Sequence, residues 1–272
     1  MSSEAFKRVK AGSIEIAYVE SGRGEPLVLL HGGESHKGQF DTFRPLLGSG
    51  IRAIGFDQRD TGDTSNGPEP YDMARQAADC VDFLTALGLE RAHVMGVSYG
   101  GTIAMELAIR YPRRVASLIL SGTTPSGAMA ENLGARIAAM GPEARAQFIL
   151  DLVLTPEGRA NDPQLVADTE RALRGRPADA AARRLTAFQN HDCTTRLHEI
   201  TAPTLVLHGA DDPIIRAEVA ERLAAEIPDA RLVILPRTRH GITFEAREPA
   251  ARLAREFVLR HAVGTVGTGS GG

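Results

Sequence analysis

Residues 94–103 read Val-Met-Gly-Val-Ser-Tyr-Gly-Gly-Thr-Ile, and the fold follows from how this stretch is understood. Gly96, Ser98 and Gly100 form the pattern G-x-S-x-G between the apolar run at 92–97 and a helix-like sequence at 102–112. A short buried strand, a sharp turn centred on serine and then a helix is the layout that presents a nucleophilic hydroxyl. The serine of such a turn takes strained backbone angles, so the residues two positions away must be small for strand and helix to pass closely. Glycine fills both places. The following helix would aim its first N–H groups and the positive end of its dipole at the serine, where a negative oxygen is stabilised. Taken alone, the five residues also fit a glycine-rich strand-to-helix turn with an incidental serine, so the rest of the chain decides.

A chain of 272 residues accommodates one large core, or one core with an inserted subdomain. Its hydrophobic share of 43% and charged share of 24% match a soluble globular enzyme. A net charge of -3 with scattered basic residues argues against a nucleic-acid partner. The N-terminal sequence lacks the apolar core of a secretion signal, and no apolar stretch is long enough to cross a bilayer, so the expectation is a cytoplasmic protein with no membrane partner. Cys80 and Cys193 form no C-x-x-C pair and read as reduced thiols. His191, Asp192 and Cys193 adjoin, but no second cluster supports a metal, and no nucleotide fingerprint is present. The expected chemistry is cofactor-free, acting on a small-molecule substrate. Oligomeric state is not legible.

Strands and helices alternate on both sides of the serine turn. Two short strands are expected across 9–19 around Ala11-Gly12-Ser13, then a strand at 27–30 ending in His31-Gly32-Gly33-Glu34, a short helix at 40–47 and a strand at 51–56 ending at Asp57. A helix from Met73 carries Ala77, Cys80, Val81, Leu84 and Leu87 at helical spacing and stops at Gly88. A strand at 115–120 follows the serine turn. Beyond Pro203 come a strand at 204–207, a helix at 217–227, a strand at 232–235 and a closing helix at 248–260. Such alternation implies an α/β protein with a mostly parallel sheet, helices on both faces, and chemistry at the carboxyl ends of the strands. Residues 1–122 and 196–262 are assigned to this core. Between 123 and 195, Ala- and Arg-rich segments broken at Gly141-Pro142, Thr155-Pro156, Asp162-Pro163 and Gly175-Arg176-Pro177 predict three or four short inserted helices. They are expected to form a cap that closes the pocket. Within it Phe148, Ile149, Leu152, Leu154 and Phe188 are moderately apolar; Phe148, Leu152 and Phe188 are candidate substrate contacts, or pack cap against core. Residues 263–272 read as a disordered tail.

A serine hydroxyl needs a base to take its proton, and the base needs an acid to hold its tautomer. After the strand at 204–207 stands Asp211-Asp212-Pro213, and after the strand at 232–235 stands His240 in a loop before the last helix. Ser98, one aspartate of the pair, and His240 thus follow in chain order, each at a strand end.

The segments LVLLHGG (27–33), GFDQRDTGDTS (55–65), MGVSYGG (95–101), TLVLHGADDPI (204–214) and RHG (239–241) together resemble the α/β-hydrolase fold superfamily, over nearly the whole chain. The resemblance places the acid three residues after the glycine of HGADD, at Asp212, with Asp211 the fallback. It also implies an oxyanion hole built from the backbone N–H groups of Gly33 and Tyr99. Gly32, Glu34 and His36 would stand beside it; Glu34 and His36 either bind a polar group of the substrate or cap the next turn. A narrower likeness, through 56–65, is to small bacterial esterases of the aclacinomycin methylesterase type, although Arg59 and Asp60 replace a glycine-rich spelling and read as structural pairing. The implied activity is hydrolysis of a carboxylic ester or lactone through an acyl-enzyme. The same triad in this superfamily also serves carbon–carbon bond, amide and N-terminal proline cleavage and perhydrolysis, and some members are receptors with negligible turnover. Ser98 stands where haloalkane dehalogenases and epoxide hydrolases of the fold carry aspartate, which argues against both.

Overall fold

A computed structural model of the chain describes residues 6–263 except 131, 132, 134, 135, 138 and 174. Eight strands form one sheet in the order β1-β2-β4-β3-β5-β6-β7-β8: β1 (Lys7–Ala11), β2 (Ile14–Gly22), β3 (Gly24–Leu30), β4 (Gly50–Phe56), β5 (Ala92–Val97), β6 (Val115–Ser121), β7 (Thr204–Gly209) and β8 (Ala230–Leu235). The pairs β1/β2 and β2/β4 are antiparallel and every other pair is parallel. Successive side chains of a strand point to opposite faces, so a continuous apolar run such as 27–30 must be covered on both. Val28 and Leu30 enter one core with residues of α1 (Met73–Ala86), α2 (Tyr99–Arg110) and α7 (Ala217–Glu226). Leu27 and Leu29 enter the other, with Ala250, Ala254 and Phe257 of α9 (Arg247–Arg260). Cys80 lies in the first core, and both cysteines are buried and unbridged.

The insertion between β6 and β7 contains α3 (Pro142–Val153), α4 (Pro156–Asn161), α5 (Pro163–Ala172) and α6 (Ala178–Gln189). Three prolines that punctuate the sequence are the first residues of helices, where a missing N–H costs nothing. Thr155 and Asp162 cap two of those starts, accepting from the N–H groups of Gly158 and Leu165. Leu150, Leu154, Leu165 and Ala172 pack on Phe244 of the short helix α8 (Ile242–Glu245), tying the insertion to the loop after β8.

Two expectations are revised. The segment 40–47 is not one helix but two 3-10 turns, Lys37–Phe40 and Arg44–Leu47, because Pro45 cannot supply the N–H that a helix through it would need. The strand expected from Leu27 begins at Gly24, whose positive φ of 120° lets it lie against Gly50, where a Cβ would come within 2.2 Å of the Gly50 carbonyl. Of the tail at 263–272, only Val263 falls within the described residues; its N–H donates to Glu25 Oε2 at 3.0 Å. No helix among the described residues is long and apolar enough to cross a membrane.

The passage from β5 into α2 requires bare backbone. A Cβ on Gly100 would sit 2.2 Å from the Leu30 carbonyl oxygen and 2.7 Å from that of His31, neither of which can swing aside. Gly100→Ala is therefore expected to cost about 1–3 kcal/mol, or roughly 2–4 °C of Tm per kcal/mol. Thermal unfolding followed by circular dichroism checks this; an unchanged Tm would mean that helix and strand have room to separate.

Candidate active site

Ser98 joins β5 to α2 with φ 52° and ψ -118°, a left-handed conformation that a side chain disfavours. Its surroundings impose the angles: the Ser98 N–H donates to Ser121 O of β6 at 2.9 Å, and its carbonyl accepts from Thr123 Oγ1 at 2.7 Å and Gly101 N–H at 2.8 Å. The hydroxyl is thereby presented at the carboxyl edge of the sheet, at the N-terminus of α2.

The loops after β7 and β8 bring Asp212 and His240 to the same edge. His240 Nδ1 donates to Asp212 Oδ2 at 2.7 Å, and the other carboxylate oxygen accepts from the N–H groups of Ile214 (2.8 Å) and Ile215 (3.0 Å). The Asp212 carboxyl is wholly buried. Burial alone would raise its pKa, but the His240 charge and these hydrogen bonds more than offset that, and it lies below the ordinary carboxylate value. Asp211 is exposed and does not pair with His240. Ser98 and His240 face each other across one small cavity of about 140 Å³.

Gly32 and Gly33 run alongside Ser98 and Tyr99: a Cβ on Gly32 would lie 3.7 Å from Ser98 Cβ, and one on Gly33 would lie 3.8 Å from Tyr99 Cβ. The Gly32 N–H is held by Gln39 Oε1 at 2.8 Å, and Gln39 Nε2 donates to Thr243 Oγ1 at 3.1 Å. No acceptor among the described residues takes the N–H of Gly33 or of Tyr99, so both are available beside the Ser98 hydroxyl. His31, fully buried beneath this loop, donates from Nδ1 to Gly32 O at 2.8 Å, and burial holds its pKa well below the usual imidazole value.

A second, larger cavity of about 540 Å³ also borders Ser98, shares Gly33, Glu34 and Ile214 with the small one, and is lined on much of its wall by the insertion. Glu34 lines both cavities and pairs with Arg145 of α3. Leu152 and Ile149 line the small cavity, and Phe188 lines the large one, stacked on Tyr99 at 6.0 Å. Two candidates fall outside both. His36 caps the Lys37–Phe40 turn, with Nδ1 accepting from Gly38 N–H at 3.1 Å and Nε2 donating to Arg171 O at 3.3 Å. Phe148 instead lies under Arg136, whose guanidinium carbon is 4.7 Å from the ring centroid. Leu154 packs inside the insertion.

Arg59 and Asp60 are structural: Arg59 pairs with Asp79 at 2.5 Å, and Arg183 of α6 grips both Asp60 oxygens at 2.8 Å. Asp192 caps Thr194, with Oδ1 2.9 Å from its N and 2.7 Å from Oγ1, while His191 Nδ1 lies 3.7 Å from Glu106, so the His191–Cys193 run is engaged elsewhere. The sequence reading missed Arg176 and Arg184, both on the wall of the large cavity. A signal for Arg184 did exist, since it shares the buried stripe of α6 with Ala180 and Ala187, four residues before and three after.

Because the Asp212 pKa is lowered on folding, its ionised form stabilises the fold above the ordinary Asp value of about 3.9, and that contribution is lost as pH falls toward the lowered folded value. Asp212→Asn has no such contribution. Wild type is expected to be more stable than Asp212→Asn at neutral pH, with the gap narrowing as pH falls below about 4. Urea unfolding across pH checks this; a gap independent of pH would contradict the assigned ionisation.

Residues 27–256 match the model of the alpha/beta hydrolase family. A protein of Variovorax paradoxus provisionally named carbamate hydrolase RutD is 34% identical over 79% of this chain and 84% of its own length. The 2-hydroxy-6-oxo-6-phenylhexa-2,4-dienoate hydrolase of Comamonas testosteroni is 31% identical over 89% of this chain and 91% of its own. Among solved structures, a hydrolase from Pseudomonas aeruginosa superposes with a TM-score of 0.84 at 26% identity, covering 93% of this chain and 98% of that one. A strained serine at a strand-to-helix turn, a buried Asp–His pair in the loops after β7 and β8 and a family match spanning the core lead to one conclusion: the chain belongs to the alpha/beta hydrolase family and is a hydrolase.

Proposed function

We propose that the protein cleaves a small-molecule carboxylic ester or lactone through an acyl-enzyme, with Ser98 as nucleophile. The observation that carries this is the convergence on Ser98 of the Asp212-held His240 and the two unoccupied N–H groups of Gly33 and Tyr99. Ser98 Oγ attacks the carbonyl while His240 Nε2 takes its proton; Asp212 fixes the tautomer with Nδ1 protonated and stabilises the imidazolium. The carbonyl oxygen becomes an oxyanion received by the Gly33 and Tyr99 N–H groups at the positive end of α2. Collapse expels the alcohol with the proton from His240, and water, deprotonated by the same imidazole, releases the acid. In this scheme no cofactor is required, and the helical insertion acts as the cap that forms the larger part of the substrate cavity.

A second reading, action on a dienoate, is favoured by the likeness to the Comamonas testosteroni enzyme. It would appear as turnover of 2-hydroxy-6-oxo-6-phenylhexa-2,4-dienoate without turnover of esters.

Steady-state hydrolysis of p-nitrophenyl esters from acetate to octanoate tests the proposal. Wild type is expected to turn over continuously, Ser98→Ala to lose at least about 10³-fold in kcat, and Asp212→Asn to lose about 10³-fold to 10⁴-fold. Turnover retained in Ser98→Ala would assign the chemistry to another residue, and a single burst that stalls would point to a receptor.

A further inference from the structure

Most arginines around the site have a carboxylate: Arg59 has Asp79, Arg145 has Glu34, and Arg183 has Asp60. Arg176 and Arg184, on the wall of the large cavity with Ser98, have none among the described residues. Arg184 is only 3% exposed and sits over Tyr99, its guanidinium carbon 3.9 Å from the ring centroid. It donates to two uncharged oxygens, Arg59 O and Gln58 Oε1, each at 3.0 Å, and its Nε has no partner among the described residues. Arg176 makes a long hydrogen bond to Ser35 O at 3.4 Å, and its buried Nε is also without a partner among the described residues. Burial, and then the Arg184 charge beside it, lower the Arg176 pKa to about 10 although the Glu34 carboxylate acts the other way, so Arg176 is still cationic at neutral pH.

Two desolvated like charges facing one cavity, with unused N–H groups, are costly unless an anion is received there. A helical roof needs no such pair. The chain as a whole has a net charge of -3, so the local excess of positive charge does not reflect a basic protein. Glu34 is the carboxylate nearest in the cavity, but it is already held by Arg145.

The two cavities differ in a way that orients the substrate. The small one, about 140 Å³, has apolar walls including Ile149, Leu152 and Val153, and contains His240. The imidazole must deliver its proton to the leaving oxygen, so the leaving alcohol belongs on that side and the acyl group extends into the large cavity. We infer that Arg176 and Arg184 bind a free carboxylate carried by the acyl portion of the substrate, which makes the substrate class a monoester of a dicarboxylic acid with a small alcohol. Planar guanidinium groups suit a carboxylate through paired N–H donors. For a monoester the reaction consumes one water and yields the dicarboxylate, the alcohol and one proton. The inference rests on the ester-hydrolase reading above for its reaction, but the anion site itself does not.

The test has two arms. In the first, kcat/KM is compared in a pH-stat for monomethyl glutarate and adipate against methyl pentanoate and hexanoate. Wild type is expected to prefer the anionic member of each pair by about 10-fold to 100-fold, and Arg176→Met to abolish most of that preference through KM, with Arg176→Lys recovering part of it. In the second, binding of glutarate to Ser98→Ala is measured by calorimetry, with and without Arg176→Met; Arg176-dependent binding that weakens with salt is expected. Ester turnover with no anionic preference and no Arg176-dependent glutarate binding overturns the inference and leaves the ester-hydrolase reading intact. Arg176-dependent binding without turnover of any ester supports the anion site and overturns the reaction assigned to it. Should Arg176→Met fail to fold, wild type that neither binds glutarate nor prefers anionic esters refutes the site by itself.

Discussion

Everything in the site depends on one strained residue. Ser98 has a φ of 52° with a side chain attached, which is tolerable only because the structure on three sides leaves no alternative. Gly96, Gly100 and Gly101 are packed so closely that a Cβ on any of them would come within 2.4 Å of another atom, so β5 and α2 cross with no side chain between them. The Ser121 carbonyl at the end of β6, accepting from the Ser98 N–H, and the Thr123 hydroxyl just beyond it, donating to the Ser98 carbonyl, then hold the turn on its remaining side. The hydroxyl is left at the edge of the sheet, above the first turn of a helix, where it can meet only what neighbouring strands deliver.

The parallel order of the sheet decides what is delivered. With β6, β7 and β8 following β5 in sequence across the sheet, the loops after β7 and β8 open on the same edge, and they carry Asp212 and His240. On the other side β3 ends in the Gly32–Gly33 turn, which Gln39 locks by taking the Gly32 N–H. Residues separated by more than two hundred positions thus come together because each sits shortly beyond the carboxyl end of a strand of one sheet. This is why the core of the site was legible in the sequence: apolar runs mark strands, and the polar residues that end them mark one edge. The choice of Asp212 over Asp211 came from family resemblance and matches the orientation of the buried carboxylate, whereas spacing alone left both open.

What was not legible has physical causes as well. The two 3-10 turns at 37–47 bury Phe40, Phe43 and Leu47 at spacings of three and four, as a helix would, and only Pro45 distinguishes the cases. His36 lies two residues from Glu34, yet the chain turns between them, so one ring caps a turn while the other carboxylate reaches the cavity. Arg176 lies in an irregular stretch whose neighbours in space are remote in sequence. Arg184 carries a charge of the kind that ordinarily sits in solvent, although it occupies the buried stripe of α6 with Ala180 and Ala187. The side chains that shape the large cavity come from the insertion, where amphipathic spacing is short and broken, and there the sequence says least.

In the proposed mechanism Ser98 is the residue that becomes covalently acylated. Intact-protein mass spectrometry after reaction with diethyl p-nitrophenyl phosphate, followed by peptide mapping, tests that most directly. One diethylphosphoryl adduct on the peptide containing Ser98, absent from Ser98→Ala and suppressed when His240 is replaced by alanine, is the predicted result. Labelling at a different residue, or an unlabelled protein that still hydrolyses esters, would contradict it.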